Sequence, residues 1–177
     1  VLMEPLVGGN GATPHDDGST MMFIGNGDVP NLPTEVLENR YPLRVECYEL
    51  QPDAAGWGKY RGGCGLRKDY RILEDGVLLL FGTDNSVDPI GRGLFGGKNG
   101  EPNEFICRPN TDREMVLRQR VSNYGPFFKD ELISIRSGGG GGWGPCTERD
   151  PARIIRDVVN GYLDAQQAED IFGVRMV

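Results

Sequence analysis

The chain has 177 residues, enough for one domain with a hydrophobic core and too few for two domains of ordinary size. Its formal net charge of -7 argues against nucleic acid as a partner, because cationic side chains dominate phosphate binding. We find no apolar run of membrane-spanning length and no signal peptide, and we therefore expect a cytoplasmic protein with no membrane partner. The 27 glycines and 12 prolines are scattered among apolar runs, which indicates many turns rather than disorder.

The cysteines and the single histidine do not form a recognisable metal site. Cys47, Cys64, Cys107 and Cys146 lie far apart without a C-x-x-C pair, whereas structural zinc sites show close-set ligand pairs. We therefore expect no metal ligand in this chain, and buried free thiols. The chain begins Val-Leu-Met-Glu-Pro, and we interpret residues 1–177 as a single domain or segment of a longer polypeptide. The N-terminal portion of that longer polypeptide, outside residues 1–177, could hold catalytic residues that this segment lacks.

Short apolar runs bounded by turn residues predict a β-rich domain. The predicted strands are residues 43–50, 66–73, 77–81, 104–108, 115–120 and 130–136. The first strand alternates strictly, with Leu43, Val45 and Cys47 on its buried face. The turn Glu74-Asp75-Gly76 between the second and third strands predicts a β-hairpin.

Helical signals lie near residues 34–38, where one turn is predicted to open at Pro33, and in the C-terminal tail. Asp150 is a predicted N-cap followed by Pro151 at the first helical position. An apolar stripe at helical spacing follows and is predicted to face the core: Ile154, Ile155, Val158, Val159 and Tyr162. Asp164 and Gln167 predict a capping box for a second short helix, which Gly173 ends. We expect an α+β, β-rich fold with antiparallel strands, long glycine-rich loops and a C-terminal helical pair.

Glycine-rich loops interrupt these elements at residues 8–18, 56–65, 91–100 and 137–144. The last contains five successive glycines. Because glycine loses more backbone entropy on ordering than any other residue, an ordered run of this kind requires a structural explanation. Its bare N–H groups could approach a ligand or another chain, or the run could be a flexible linker. The nearby Trp143 favours the ordered alternative, buried against another chain. The candidates for backbone contact with a substrate are Gly8, Gly9, Gly11, Gly139, Gly140 and Gly141.

The one cluster of reactive side chains is His15-Asp16-Asp17. It could supply metal ligands, or a general base with an orienting carboxylate, but a solvated acidic loop is the more common outcome. No second histidine completes a ligand set, and no serine or cysteine lies in a nucleophile elbow. The catalytic residues stay unknown at this level, with Asp17 and His15 as candidates.

Four basic side chains could bind an anion: Arg61, Arg67, Lys68 and Arg71. Charges on a strand usually face water, and we expect that here.

The order of these turns resembles the hydantoinase B family. The matching stretches are residues 8–12 with Asp17-Gly18, 33–38, 41–45, 48–63, 93–97, the five-glycine loop, 148–151, 156–158, 165–168 and 172–174. The resemblance covers nearly the whole chain in the right order, and it is to the C-terminal part of the family's B-type subunit. Ala54-Ala55-Gly56 stands where the family has Ser-Gly-Gly, and the usual aspartate is replaced around Pro145-Cys146. These departures leave the branch and the substrate open.

The resemblance implies a component of a multi-subunit enzyme. Family members work with a hydantoinase A-type subunit that binds and spends ATP, and together they open cyclic amides such as hydantoins, 5-oxoproline and lactams. In a carboxylase branch they activate acetone or acetophenone, and a non-catalytic assembly module is a third alternative. The resemblance places ATP and Mg on the A-type partner and a divalent metal, Zn or Mn, on the N-terminal part of the B component. This chain would then belong to a hetero-oligomer and bind no cofactor by itself.

Overall fold

A computed structural model describes residues 2, 4–21, 31–82, 91–117 and 121–175 of the chain, without the side chains of residues 81, 121 and 122. The α-helices of these ranges are α1 (Thr34–Arg40), α2 (Pro151–Val159) and α3 (Ala165–Phe172). The strands are β1 (Leu43–Gln51), β2 (Gly65–Ile72), β3 (Val77–Gly82), β4 (Glu104–Cys107), β5 (Met115–Leu117), β6 (Val121–Phe127) and β7 (Leu132–Arg136). No helix within these ranges is both long enough and apolar enough to cross a membrane.

The strands form a five-stranded sheet in the order β1-β2-β7-β4-β5 and a separate pair, β3-β6. Every pairing is antiparallel, which confirms the predicted β-rich α+β fold. The predicted hairpin between β2 and β3 is wrong, because β2 pairs with β1 and β7 while β3 pairs with β6. The turn between them instead passes the chain from the five-stranded sheet to the β3-β6 pair, because β2 is paired on both sides and has no free edge for β3. Strand β6 has no counterpart among the predicted strands, and residues 118–120 of the predicted fifth run lie outside the described residues.

A β-bulge in strand β1 reverses which face of the sheet the following side chains occupy. Val45 is opposite Tyr70 and Cys47 is opposite Asp69, so one extra residue separates these pairs on β1. A bulge of this kind turns the following side chains to the other face. Cys47 therefore lies on the face of Asp69 rather than on the face of Val45, contrary to the strict alternation expected from the sequence.

Two apolar clusters form the core. The first joins the inner face of the five-stranded sheet to the β3-β6 pair and contains Ile72, Phe105, Cys107, Leu117, Phe127 and Ile133. The second packs the C-terminal helices against Trp57, with Ile154, Leu163 and Ala168 as its other buried members. The rings of Trp57 and Phe172 meet edge to face at a centroid distance of 5.7 Å, which fixes the last helix on the glycine-rich corner.

The C-terminal helices begin and end where the sequence predicts. The Asp150 side chain accepts a hydrogen bond from the amide of Ala152, Asp164 and Gln167 form the capping box, and Gly173 ends α3 with a φ of 69°. Only part of the predicted apolar stripe faces the core, however. Ile154 is buried and Val158 packs against the core, whereas Ile155 and Val159 are 47% and 78% exposed. The contacting face of α2 consists of Ile154, Asp157 and Val158, which have the i, i+3, i+4 spacing of one helix face. Ile155 and Val159 lie beside that face and not on it.

All four cysteines are free thiols, as expected. Cys64 and Cys107 are buried, and burial raises the pKa of the Cys107 thiol to about 11. Cys47 and Cys146 are only half-buried.

The glycine run 138–142 is ordered and buried inside this chain, rather than against another chain. Its hydrogen-bond partners repeat every three residues. Gly139 and Gly142 donate to the carbonyls of Glu101 and Lys98, whereas Gly140 and Trp143 donate to those of Gly63 and Tyr60.

Carbonyls of the same run accept bonds with the same spacing, from the amides of Gly9 at Gly138 and of Ala12 at Gly141. A repeat of three residues with all bonds made to neighbouring segments is the pattern of an extended polyproline II-type helix. We name the run and its three neighbouring segments, residues 8–12, 54–63 and 91–101, the glycine core.

Close backbone approach explains why the glycine core excludes side chains. An ideal Cβ on Gly139 would lie 1.8 Å from the Ala54 carbonyl oxygen, and one on Gly140 would lie 1.8 Å from that of Asn10. A Cβ on Gly141 would meet the Arg92 carbonyl at 2.2 Å. Successive glycines thus face three different segments, and none of those contacts leaves room for a methyl group.

We predict that Gly140→Ala destabilises the protein by about 3 kcal/mol, because the clash is with backbone that cannot rotate away. Gly11→Ala is the matched control, since its Cβ would lie 3.8 Å from its nearest neighbour, the Gly141 carbonyl oxygen. We expect the control to change the free energy of unfolding by less than about 0.5 kcal/mol. Denaturant unfolding measures both variants, and equal losses would contradict the close-packed core.

Candidate functional site

A buried network of ion pairs joins the loop that contains the candidate Asp17 to helix α2. The Arg149 side chain is fully buried and donates to Asp17 Oδ1 at 2.8 Å and Oδ2 at 3.1 Å. It also donates to Asp157 Oδ2 at 2.6 Å, and Asp157 is only 3% exposed. Arg153 reaches Asp17 Oδ2 at 3.2 Å. One guanidinium therefore bridges two carboxylates that are far apart in the sequence.

Backbone groups complete this network. The amide of Arg61 donates to Asp17 Oδ1 at 2.6 Å, and Arg149 Nη1 donates to the Lys59 carbonyl at 3.1 Å. The guanidinium of Arg61 lies over the Tyr162 ring at 4.4 Å, which connects the same corner to the C-terminal helices. The network thus fixes the polar loop 8–18, the corner 56–65 and α2 in one arrangement.

Asp17 is held as a carboxylate. Burial alone would raise its pKa, but hydrogen bonds from Arg149 and the Arg61 amide, together with their charges, outweigh burial and lower it. The same ion pairs keep Arg149 charged. Burial alone would lower the pKa of its guanidinium, but Asp17 and Asp157 outweigh burial and keep that pKa above the ordinary value. A base with a lowered pKa accepts a proton less readily near neutral pH, so this geometry suits anchoring better than proton abstraction.

His15 and Asp16 lie on the exposed side of the same loop. The loop is closed by Thr13, whose hydroxyl accepts hydrogen bonds from the amides of both residues. Asp16 pairs with Arg153 at 2.8 Å. Because arginines engage the carboxylates of Asp16 and Asp17, the loop does not fit a cation site. Among the described residues no group of three or more His, Cys, Asp or Glu side chains could hold a metal ion.

The six candidate glycines lie in two neighbouring segments of the glycine core: Gly8, Gly9, Gly11, Gly139, Gly140 and Gly141. All except Gly11 face the chain's own backbone, with 1.8–2.5 Å between the ideal Cβ and the nearest carbonyl oxygen. Gly11 is exposed and has room beside it. Contact between these glycines and a substrate stays a prediction, for which Gly11 offers the accessible backbone.

A second buried ion pair ties the start of the described chain to strand β2. Lys68 is 2% exposed, and its Nζ donates to both carboxylate oxygens of Glu4 at 3.0 and 3.1 Å. The Tyr70 hydroxyl also donates to Glu4, and the Tyr48 ring lies 4.7 Å from Lys68 Nζ. The expectation that the strand charges face water is therefore wrong for Lys68 and for the buried Arg61. An alternating pattern cannot reveal a partner that lies 64 residues away.

Arg149, Arg153 and Asp157 are the charged network members to which the sequence analysis assigned no role. Arg149 and Asp157 fall within stretches that resemble the hydantoinase B family, but a charged residue in such a stretch is equally typical of a solvated surface. The sequence offered one signal for this network, which is the opposite charge of Arg149 and the two aspartates, Asp17 and Asp157. Only the tertiary structure shows that these three side chains meet.

We predict that Asp17→Asn lowers the free energy of unfolding at neutral pH by about 3 kcal/mol, because Arg149 stays buried with one carboxylate instead of two. The asparagine can keep the oxygen that accepts from the Arg61 amide, but its NH2 group replaces the Oδ2 that accepts from Arg149 and Arg153, so the loss reports the charge together with those two hydrogen bonds. Asp16→Asn is the control, since that carboxylate is 72% exposed and should leave unfolding nearly unchanged. Denaturant unfolding of the variants is the measurement.

The same network predicts a pH dependence. Because the pKa of Asp17 is lowered in the folded state, its stabilisation is fully present above the unfolded-state value of about 4 and is lost as the pH falls through the folded value. We expect Asp17→Asn to reduce the loss of stability as the pH falls below the unfolded-state value of about 4, where the unfolded carboxylate takes up its proton first. Parallel stability curves for the variant and the parent protein would contradict this role.

Comparison with known proteins identifies relatives along almost the whole chain. Residues 1–146 match the sequence profile of the family described as hydantoinase B/oxoprolinase. The chain is 29% identical over 175 residues to the B component of a putative D-/L-hydantoinase of Pseudomonas sp., covering 98% of this chain and 29% of that protein. It is 28% identical over 198 aligned residues to the acetophenone carboxylase delta subunit of Aromatoleum aromaticum, covering 94% of this chain and 29% of that protein.

A solved structure agrees with these matches. The ATP-dependent caprolactamase from Pseudomonas jessenii shares the fold with a TM-score of 0.73 and 25% identity, over 97% of this chain and 30% of that chain. The chain therefore spans less than a third of the length of these relatives. Because the family profile matches most of its residues, this chain belongs to the hydantoinase B/oxoprolinase family.

Proposed function

We propose that this chain is a component of a multi-subunit, ATP-dependent enzyme that opens a cyclic amide such as a hydantoin, 5-oxoproline or a lactam. The observation that carries the proposal is the likeness to the ATP-dependent caprolactamase along 97% of the chain. The hydantoinase component among its relatives supports the same chemistry. On the family resemblance we further propose that the assembly contains a hydantoinase A-type subunit, which would bind ATP with Mg, and a B-type N-terminal part, which would hold Zn or Mn.

Within that assembly we assign this chain a supporting role in catalysis. The glycine core and the Arg149 network fix three loops against each other at backbone distance, which gives a rigid surface on which other polypeptide can assemble. Rigid support of this kind holds catalytic groups in register. We also propose a cytoplasmic location, since an ATP-dependent enzyme with four free thiols suits a reducing compartment.

Two alternatives have support of their own. The likeness to an acetophenone carboxylase subunit favours an ATP-dependent ketone carboxylase of the acetone or acetophenone type. The engagement of Asp17 by two arginines favours a non-catalytic assembly module. The first alternative differs in substrate, and the second in whether the chain holds catalytic groups in position or only stabilises the complex.

The identity of the assembly is tested by native mass spectrometry of the protein purified from its source. We expect an ATP-binding chain and B-type polypeptide beyond residues 1–177 to be present. ATP-dependent opening of hydantoin, 5-oxoproline or caprolactam would support the amide hydrolase, whereas ATP- and bicarbonate-dependent loss of acetone or acetophenone would favour the carboxylase. A solitary, inactive 19.5 kDa protein would overturn the proposal.

The role of the two candidate side chains is tested in the complete assembly. We predict that His15→Ala changes turnover per assembled enzyme by less than about twofold, because His15 is exposed and lies outside the arginine network. Asp17→Asn should reduce the amount of folded assembly more than the turnover of what remains. Loss of turnover in a fully assembled His15→Ala or Asp17→Asn enzyme would instead make that residue catalytic.

A further inference from the structure

The C-terminal helices have a small apolar core of their own. The buried members of the cluster that packs them are Trp57, Ile154, Leu163 and Ala168, and none of these belongs to the cluster beneath the five-stranded sheet. Of the four, only Trp57 lies outside residues 146–175, which we name the C-terminal strap. Three buried side chains from the strap make a small core, and regions with few buried apolar contacts open at a lower free energy than the rest of a fold.

The helices of the strap are too short to persist without each other. Helix α2 has nine residues and α3 has eight, whereas isolated helices shorter than about 12–15 residues are marginal in water. The connection between them is tied to α2, because the amides of Tyr162 and Leu163 donate to the Asp157 carbonyl at 2.8 and 3.4 Å. We therefore expect the two helices to form and to melt together.

The strap is attached to the fold through two segments, loop 8–18 and residues 53–61. The attachments are the ring contacts Trp57–Phe172 and Arg61–Tyr162, the ion pairs of Asp17 with Arg149 and Arg153, and the hydrogen bond from Gln167 to Asp53. Each of these contacts is made by side chains, so all of them can separate without breaking a strand pairing of the sheet.

The buried charges of the strap oppose its opening less than their number suggests. Arg149 is fully buried and Asp157 is 3% exposed, and the loss of hydration of such ions offsets much of their attraction. Both charges regain water when the strap opens. The closed state also leaves one polar atom unsatisfied, since the buried Arg61 Nε has no hydrogen-bond partner and lies 4.0 Å from Asp157 Oδ1.

We propose that the C-terminal strap opens and closes as one cooperative unit while the sheet and the glycine core stay folded. The closed strap covers Trp57 and Arg61, which are 6% and 7% exposed, and its arginines hold the Asp17 carboxylate. The open state presents these three side chains to solvent. The strap therefore controls access to the corner 56–65 and to Asp17, in an amide hydrolase, a carboxylase or an assembly module alike.

Native-state hydrogen exchange of the full chain tests this proposal, because it reports the opening equilibrium of each backbone amide. Two matched variants separate the strap from the sheet. Ile154→Val removes a methyl group from the cluster of the strap, and Ile133→Val removes one from the cluster of the sheet; the two isoleucines are 2% and 4% exposed. Each change is mild enough to leave the protein folded and should shift an opening equilibrium about fivefold.

In the parent protein we expect the amides of α2 and α3 to share one opening constant, at least about tenfold larger than that of the central strands β2 and β7. Ile133→Val should raise exchange about fivefold in β2 and β7 and leave the helices unchanged, because the sheet stays folded when the strap opens. Ile154→Val should raise exchange about fivefold in both regions, because it destabilises the closed state relative to the open and the unfolded states alike.

An equal effect of Ile133→Val on the helices and the sheet would reveal one cooperative unit and overturn the proposal. Helix amides that are protected as strongly as those of β2 and β7 would also overturn it. So would helix amides that exchange at unrelated rates and respond separately to Ile154→Val, since this is the behaviour of fraying helix ends rather than of one opening unit.

Discussion

The fold depends on the approach of four backbone segments to distances that no side chain permits. The buried run 138–142 makes its hydrogen bonds to the other three segments with a repeat of three residues, and each bond joins parts of the chain that are distant in sequence. Glycine gives up more entropy than any other residue when it is ordered, so these bonds and the packing behind them must offset an unusual cost. The result is a rigid centre with a high density of backbone hydrogen bonds, to which both the sheet and the helices are attached.

Electrostatics supplies the second constraint. Arg149 is fully buried, and its charge is compensated only when loop 8–18 and helix α2 bring Asp17 and Asp157 to it together. A buried ion pair of this kind adds little net stability compared with apolar packing, but it penalises any arrangement that leaves one member alone. The network therefore selects one relative position of the loop, the glycine-rich corner and the helix.

Membership of the hydantoinase B/oxoprolinase family gives these constraints a context. The chain spans less than a third of the length of the relatives that it matches. The rigid centre and the selective ion network support the proposed role as a component of a larger enzyme.

The sequence by itself determined the elements whose signals are local. The caps at Asp150 and Asp164, the αL glycine at Gly173 and most strands follow from residues within a few positions of each other, and the ordered glycine motifs were enough to indicate the family. The tertiary structure alone decided which strands pair, where β1 changes face, that Ile155 and Val159 point outward, and that Lys68 is buried with Glu4. These features depend on partners distant in the chain, and neither periodicity nor residue type specifies which distant group will fill a given space. The same limit applies to the five-glycine run: its composition indicated a close approach, but only the fold showed that the neighbour is the chain's own backbone.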